Sequence, residues 1–292
     1  MRSSGSPANS GAARSTSGGL LAVFAHPDDE AFGVAGTLRR VTAAGHPAAV
    51  VCATRGEAGE IADPRLATQE MLGQVREREL RAACAAVGVN DVAFLGYQDG
   101  HLAEVDPEEA VKRIVRHIRT RRPAIVVTFP PNGIYGHLDH MAIHQLTLAA
   151  VVAAADPARF SDHRGSGLAP HRVSKVYYTA PSREDLVVRR DEMRQHGSDF
   201  LPGGNAATIP FEEMGTPEAE LTTRVVLTDT EFAAKHRAME AHATQMPAGG
   251  FFRSASPDEL RASMGLETFV LAPPPISARD FPVPETDLFA GL

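Results

Sequence analysis

Short apolar runs separated by helical patterns constrain this chain more than any other feature of its sequence. Gly19 to Phe24, Ala48 to Thr54, Val92 to Leu95 and Ala124 to Phe129 are uncharged, as strands buried on both faces are. After the first run, Val34, Leu38 and Val41 recur at helical spacing and Gly45 stops the pattern. Before the third, Leu80, Ala83, Cys84 and Val87 form one apolar face with Gly88 as its cap. Before the fourth, Asp106 and Pro107 read as N-cap and first residue of a helix carrying Val111, Ile114, Val115 and Ile118. Strands alternating with helices pair in parallel, because each parallel pair needs a crossover connection. The expected fold class is α/β: Rossmann-like, a mostly parallel sheet with helices on both faces.

Beyond residue 155 the pattern weakens. Strands are expected at Val173 to Thr179 and Thr223 to Leu227 and a helix from about Thr230 to Gln245, whereas residues 181–220, rich in Gly and Pro, receive no assignment. Residues 1–18, rich in Ser, Gly and Ala, are expected to form a disordered tail, 19–272 one domain, and the Pro-rich 273–292 an extended surface segment. A net charge of −7 with 43% hydrophobic residues describes an ordinary globular chain and argues against a nucleic-acid partner. The first apolar run is too short for export or membrane insertion. Cys52 and Cys84 both fall in apolar surroundings, which suits buried thiols and a cytoplasmic location rather than a disulfide framework. The sequence leaves a homo-oligomer open.

Two polar clusters follow strands. The first is His26-Pro27-Asp28-Asp29-Glu30; the second runs from Asn132 to His144 and includes Tyr135, His137, Asp139 and His140. Asp139 reads as the cap of a helix whose first turns carry His140 and His144. In a parallel sheet both clusters lie at one edge and can share a cleft. Catalytic zinc commonly takes two histidines and one carboxylate, leaving a position for water. His26, one of the two aspartates, and His140 or His144 meet that requirement, and the remaining carboxylate is placed to accept a proton. Spacing leaves the third ligand open, since His140 and His144 stand at i and i+4 on one helix face. The same donors suit Fe2+ as well as Zn2+. The loop from Thr54 to Thr68 is long for its position and reads as functional. No G-x-G-x-x-G follows the first strand, because Gly33 and Gly36 fall within the first helix, which disfavours a non-enzymatic nucleotide-binding protein.

Ala25 to Glu30, together with Tyr135-Gly136-His137-Leu138-Asp139-His140, resembles the LmbE-like, or PIG-L, family of zinc-dependent N-acetylglucosaminyl deacetylases. The likeness continues through Thr54 to Glu60, Arg76 to Leu80, Leu95 to Gly100 and His242 to Gln245. The resemblance implies His26, Asp29 and His140 as metal ligands and Asp28 as general base. It implies that His137 assists the transition state or the leaving group, and that Tyr135 stabilises the oxyanion. Arg76 and Asp99 match positions that contact substrate hydroxyls in the thiol-cofactor branch. The family usually has Pro where this chain has Leu138. The implied reaction is hydrolysis of a small N-acetylated amino sugar or glycoconjugate to acetate and a free amine. An amidase for a larger amide, such as a thiol-cofactor conjugate, is the alternative, with 181–220 shaping its pocket. His144 falls outside the constellation; His242 receives no role, and Glu30 is left with capping or support.

Overall fold

The computed structural model describes residues 18–195, 207–247 and 250–292. All but Gly18 of the expected tail, and residues 196–206 of the unassigned stretch, lie outside the described residues. The chain runs β1 (Leu20–Phe24), α1 (Asp29–Gly33), α2 (Ala35–Ala43), β2 (Ala48–Cys52), α3 (Leu72–Ala86), β3 (Asp91–Phe94), α4 (Pro107–Arg121) and β4 (Ile125–Thr128). It continues through α5 (Gly133–Gly136), α6 (Leu138–Ala155), α7 (Asp162–Gly165), β5 (Lys175–Thr179), α8 (Arg183–Gln195) and β6 (Thr223–Val226). It ends with α9 (Asp229–Ala241), α10 (Phe251–Ser254), α11 (Pro257–Met264) and β7 (Leu266–Leu271).

The strands form one sheet in the order β3-β2-β1-β4-β5-β7-β6. The first five are parallel, and β7 runs antiparallel to both β5 and β6. All five residues of β1 and all four of β4 are buried, and each large side chain so buried contributes roughly 1.5–3 kcal/mol. Helices α2, α3 and α9 pack together in one layer, and α4 packs on α6 in another. Asp106 caps α4 as the sequence predicts, accepting the Glu108 N–H at 2.9 Å, and Gly88 leaves α3 with φ 84°.

Strand order reverses between β1 and β4, so the chain departs in opposite directions from two adjacent strands. The crevice outside their C-terminal ends is where ligands bind in open α/β sheets. Both polar clusters fall there.

Strand β7 was not expected. Its Glu267 resembles a solvent-facing residue in sequence, yet it is 2% exposed and accepts hydrogen bonds from the Gly36 and Thr37 backbones and from Lys235. Tertiary partners for a charged side chain thus hid a buried strand. Residues 273–292 are also tied down. The fully buried Lys175 donates to Glu285 at 2.6 Å and to the Leu288 and Ala290 carbonyls, and Leu288 is 1% exposed.

Among the described residues one helix, α6, is long and apolar enough to cross a membrane by length and composition; 56% of it is buried, and it packs on α4.

Candidate active site

The first cluster is folded back on itself directly after β1. Asp29 Oδ2 accepts the His26 N–H at 2.7 Å, and Glu30 Oε2 accepts the Asp28 N–H at 3.1 Å. Asp28 lies at φ 110°, ψ −28°, a conformation costly for a residue with a Cβ and commonest at functional sites.

The second cluster arrives through an irregular turn. Gly133, Ile134 and Gly136 all have positive φ, at 63°, 71° and 82°. Segment 208–215 holds this turn: Thr208 N donates to Tyr135 O at 3.1 Å, Thr208 Oγ1 to Gly136 O at 2.6 Å and Gly215 N to Ile134 O at 2.7 Å. The expected cap of α6 needs correction. His137 is the N-cap, its Nδ1 accepting the Asp139 N–H at 3.1 Å. Asp139 is freed by this arrangement to accept from Gly100 N at 2.7 Å and Leu102 N at 3.0 Å, and it reaches His26 Nε2 at 3.3 Å. Leu138, at the first helical position and 57% exposed, occupies a site that proline would also fit.

His26, Asp29 and His140 converge, with donor atoms within 4.8 Å of one another. His140 Nε2 is 3.3 Å from His26 Nδ1 and 3.4 Å from Asp29 Oδ1. The opposite nitrogen of each ring already has an acceptor. His26 Nε2 faces Asp99 at 3.0 Å and Asp139 at 3.3 Å, and His140 Nδ1 faces the Gly133 carbonyl at 3.2 Å. With those nitrogens protonated, two lone pairs and a carboxylate oxygen point at one spot, an arrangement that calls for a cation. The donor set therefore fits a divalent metal.

A second set, His26, Asp99 and Asp139, is equally close. Its carboxylates, however, are already engaged by backbone N–H groups of Ala58, Gly100 and Leu102. Their geometry is that of the outer carboxylates that orient a ligating histidine.

His144 joins neither set. Its Nδ1 lies 2.7 Å from Phe129 O, and its ring meets Tyr178 edge-on. Phe129 in turn stacks on His140 at 3.7 Å. Tyr135 lies edge-on to His140 at 5.1 Å, and His137 stacks on the same ring at 4.6 Å. Arg76, 4% exposed, donates to Gly56 O, Pro27 O and Asp28 Oδ2. Asp99 accepts the Ala58 N–H, so the long loop after β2 is anchored beside His26.

A family model described as PIG-L, GlcNAc-PI de-N-acetylase, matches residues 21–151. A 1D-myo-inositol 2-acetamido-2-deoxy-alpha-D-glucopyranoside deacetylase of Thermobispora bispora is 35% identical, covering 94% of this chain and 98% of its own length. A relative of the same name from Frankia alni is 36% identical over 92% of this chain and 99% of its own. The chain belongs to the PIG-L family.

Solved PIG-L-like folds agree at the level of architecture. An N,N'-diacetylchitobiose deacetylase from Pyrococcus horikoshii superposes with a TM-score of 0.63 at 20% identity, covering 87% of this chain and 83% of its own. A 4-carboxy-2-hydroxymuconate hydratase from Pseudomonas putida does so with 0.57 at 18% identity, covering 88% and 97%. The fold is thus shared with a different chemistry, and function has to be argued from side chains.

Charges in this PIG-L site are arranged for a cation. Burial pulls His26 down, but Asp139, Asp99 and Asp29 together push it up to about 10, so the metal-free ring holds a proton on Nδ1 that a divalent cation would displace to free that lone pair. Burial would raise Asp29, yet His140 and His26 pull it down to about 2. Burial pushes Asp28 up to about 6 against the opposing pull of Arg76. His137 is lowered to about 4, first by burial and then by His140 and His26, which leaves it neutral. Burial also carries the Tyr135 hydroxyl well above its ordinary value, so it stays a donor.

Sequence reasoning missed three participants. Asp139 was in view as a helix cap, and its motif position was the available signal. Thr208 and Phe129 carried no signal, because a threonine in a Gly-rich stretch and an aromatic at a strand end are ordinary.

Proposed function

We propose that this protein is a zinc-dependent N-deacetylase that releases acetate from an N-acetylglucosamine-containing small molecule. The observation that carries the reading is the convergence of His26 Nδ1, Asp29 Oδ1 and His140 Nε2 with their opposite ring nitrogens already engaged. The substrate for which these relatives are named, 1D-myo-inositol 2-acetamido-2-deoxy-alpha-D-glucopyranoside, is the favoured one for this chain. The near-complete coverage of both chains supports carrying it over. The buried, unpaired Cys52 and Cys84 suit the reducing cytoplasm, where we place the enzyme.

A bound divalent cation would supply a Lewis acid and lower the pKa of water at the site. Asp28, beside the ligands and poised by burial against Arg76, takes the proton of the attacking water. It then returns that proton to the departing amine, as a group able to act in both directions must. His137 cannot accept at Nδ1, because that lone pair takes the Asp139 N–H. Its proton is therefore on Nε2, and the neutral ring serves as a donor to developing negative charge. Tyr135 contributes a second donor. Arg76 and Asp99 act here chiefly by holding Asp28 and His26, and any contact they make with sugar hydroxyls is additional.

Asp139→Asn is expected to weaken divalent-metal binding by about 10- to 100-fold, because the carboxylate that orients His26 is lost. Competition with a graded chelator measures it; wild-type affinity would reject this role for Asp139. The functional reading is tested by incubating purified protein with 1D-myo-inositol 2-acetamido-2-deoxy-alpha-D-glucopyranoside. Acetate and free amine should appear in equal amounts by mass spectrometry, vanish with chelator and return with Zn2+. A metal-loaded protein that releases no acetate from this or other N-acetylated amino sugars would refute the reading.

A further inference from the structure

His242 and Glu30 form a buried pair to which the chemistry described so far gives no task. Their side chains are 0% and 2% exposed, with His242 Nε2 2.7 Å from Glu30 Oε1. The other oxygen of Glu30 accepts the backbone N–H of Asp28 at 3.1 Å. One carboxylate therefore bridges the end of α9 to the residue that carries the proton in the proposed reaction. Asp28 is also where the backbone is strained, with φ at 110° and no glycine to relieve it. Such a conformation persists only where surrounding contacts over-determine it.

We infer that His242 is a positioning residue, acting through Glu30 to lock the strained Asp28 backbone so that its carboxylate faces the metal site. This rests on the reading of Asp28 as the base. Arg76 holds the Asp28 side chain from one side, donating to Oδ2 at 3.1 Å and to Pro27 O. Glu30 holds the main chain from the other. The turn after α9 fixes His242 in place: Thr244, two residues on, is clamped by Glu79 at 2.8 Å and 2.6 Å, and Ala62 N binds Thr244 O at 2.8 Å. A residue 212 positions from Glu30 thus sets the geometry of the first cluster. A misplacement near 1 Å at a reacting group can reduce a rate about 100-fold, so the loss of this lock is visible in turnover.

The test compares His242→Gln, which keeps an N–H donor for Glu30, with the double variant Glu30→Met/His242→Leu. The double variant removes the lock without stranding a buried charge, since apolar replacement of a whole buried pair is often neutral for stability. Metal content, kcat, KM and amide exchange of the peptide spanning residues 25–33 are measured on the metal-loaded full chain.

The expected result is kcat lowered on the order of 10- to 100-fold in the double variant, with KM and metal content near wild type and faster exchange in that peptide. His242→Gln should remain within about threefold of wild type, as a lock restored through the same hydrogen bond requires. Wild-type kcat in a folded double variant overturns the inference. So does equal impairment of both variants, which would make the pair mere packing. If the wild type releases no acetate, the functional reading fails by itself, and the exchange measurement still decides: unchanged exchange in the double variant rejects the lock.

Discussion

His140→Ala is expected to yield a folded chain that holds well under one divalent metal per molecule after dialysis, whereas His144→Ala keeps its metal. The two histidines occupy one helix face a turn apart, and only their surroundings differ. His140 Nε2 points at His26 Nδ1 and Asp29, with Nδ1 tied to Gly133 O. His144 spends its Nδ1 on Phe129 O and, among the described residues, belongs to no group of converging donors. Losing a direct ligand should cost more than the roughly 10- to 100-fold that an outer partner costs. Elemental analysis of both proteins, with circular dichroism as a check on folding, makes the comparison. Metal retained by His140→Ala and lost by His144→Ala would reverse the assignment.

Asp28→Asn should lower kcat by about 10²- to 10⁴-fold, the usual contribution of a positioned general base and roughly 3–5 kcal/mol of barrier. Asparagine is the informative replacement for two reasons. Its amide oxygen still accepts from Arg76, whose guanidinium is almost fully buried and would be left without that partner by alanine. Asparagine also tolerates positive φ better than most residues, and the backbone here is at 110°. KM and metal content should stay near wild type, so steady-state kinetics with elemental analysis separates loss of the base from loss of the site. Full turnover by this variant would remove Asp28 from the chemistry and direct attention to another proton acceptor.

The order of β1 to β4 and their helices was legible because each element announces itself locally. A run such as Ala124 to Phe129 has no charged residue to place in water, and Asp106-Pro107 marks a helix start by its own chemistry. Beyond α6 the local signals conflict with tertiary context. Glu267 is a charged residue in a buried strand because Gly36, Thr37 and Lys235 meet it there. No periodicity in residues 266–271 contains that information.

At the site, sequence alone determined which donors were available and that they would gather beyond the ends of β1 and β4. An apolar run followed by a polar cluster carries that message, and parallel pairing brings the strand ends to one edge. Only the tertiary structure decided the roles within the cluster. Whether His140 or His144 turns toward His26 depends on Gly133 and Phe129, and Asp139 left the helix cap because His137 took it. Helical spacing places two histidines on one face with equal right, and the choice between them is made by the carbonyls of Gly133 and Phe129 in the turn before the helix and by His26, 114 residues from His140, through contacts that a helical period has no means to encode.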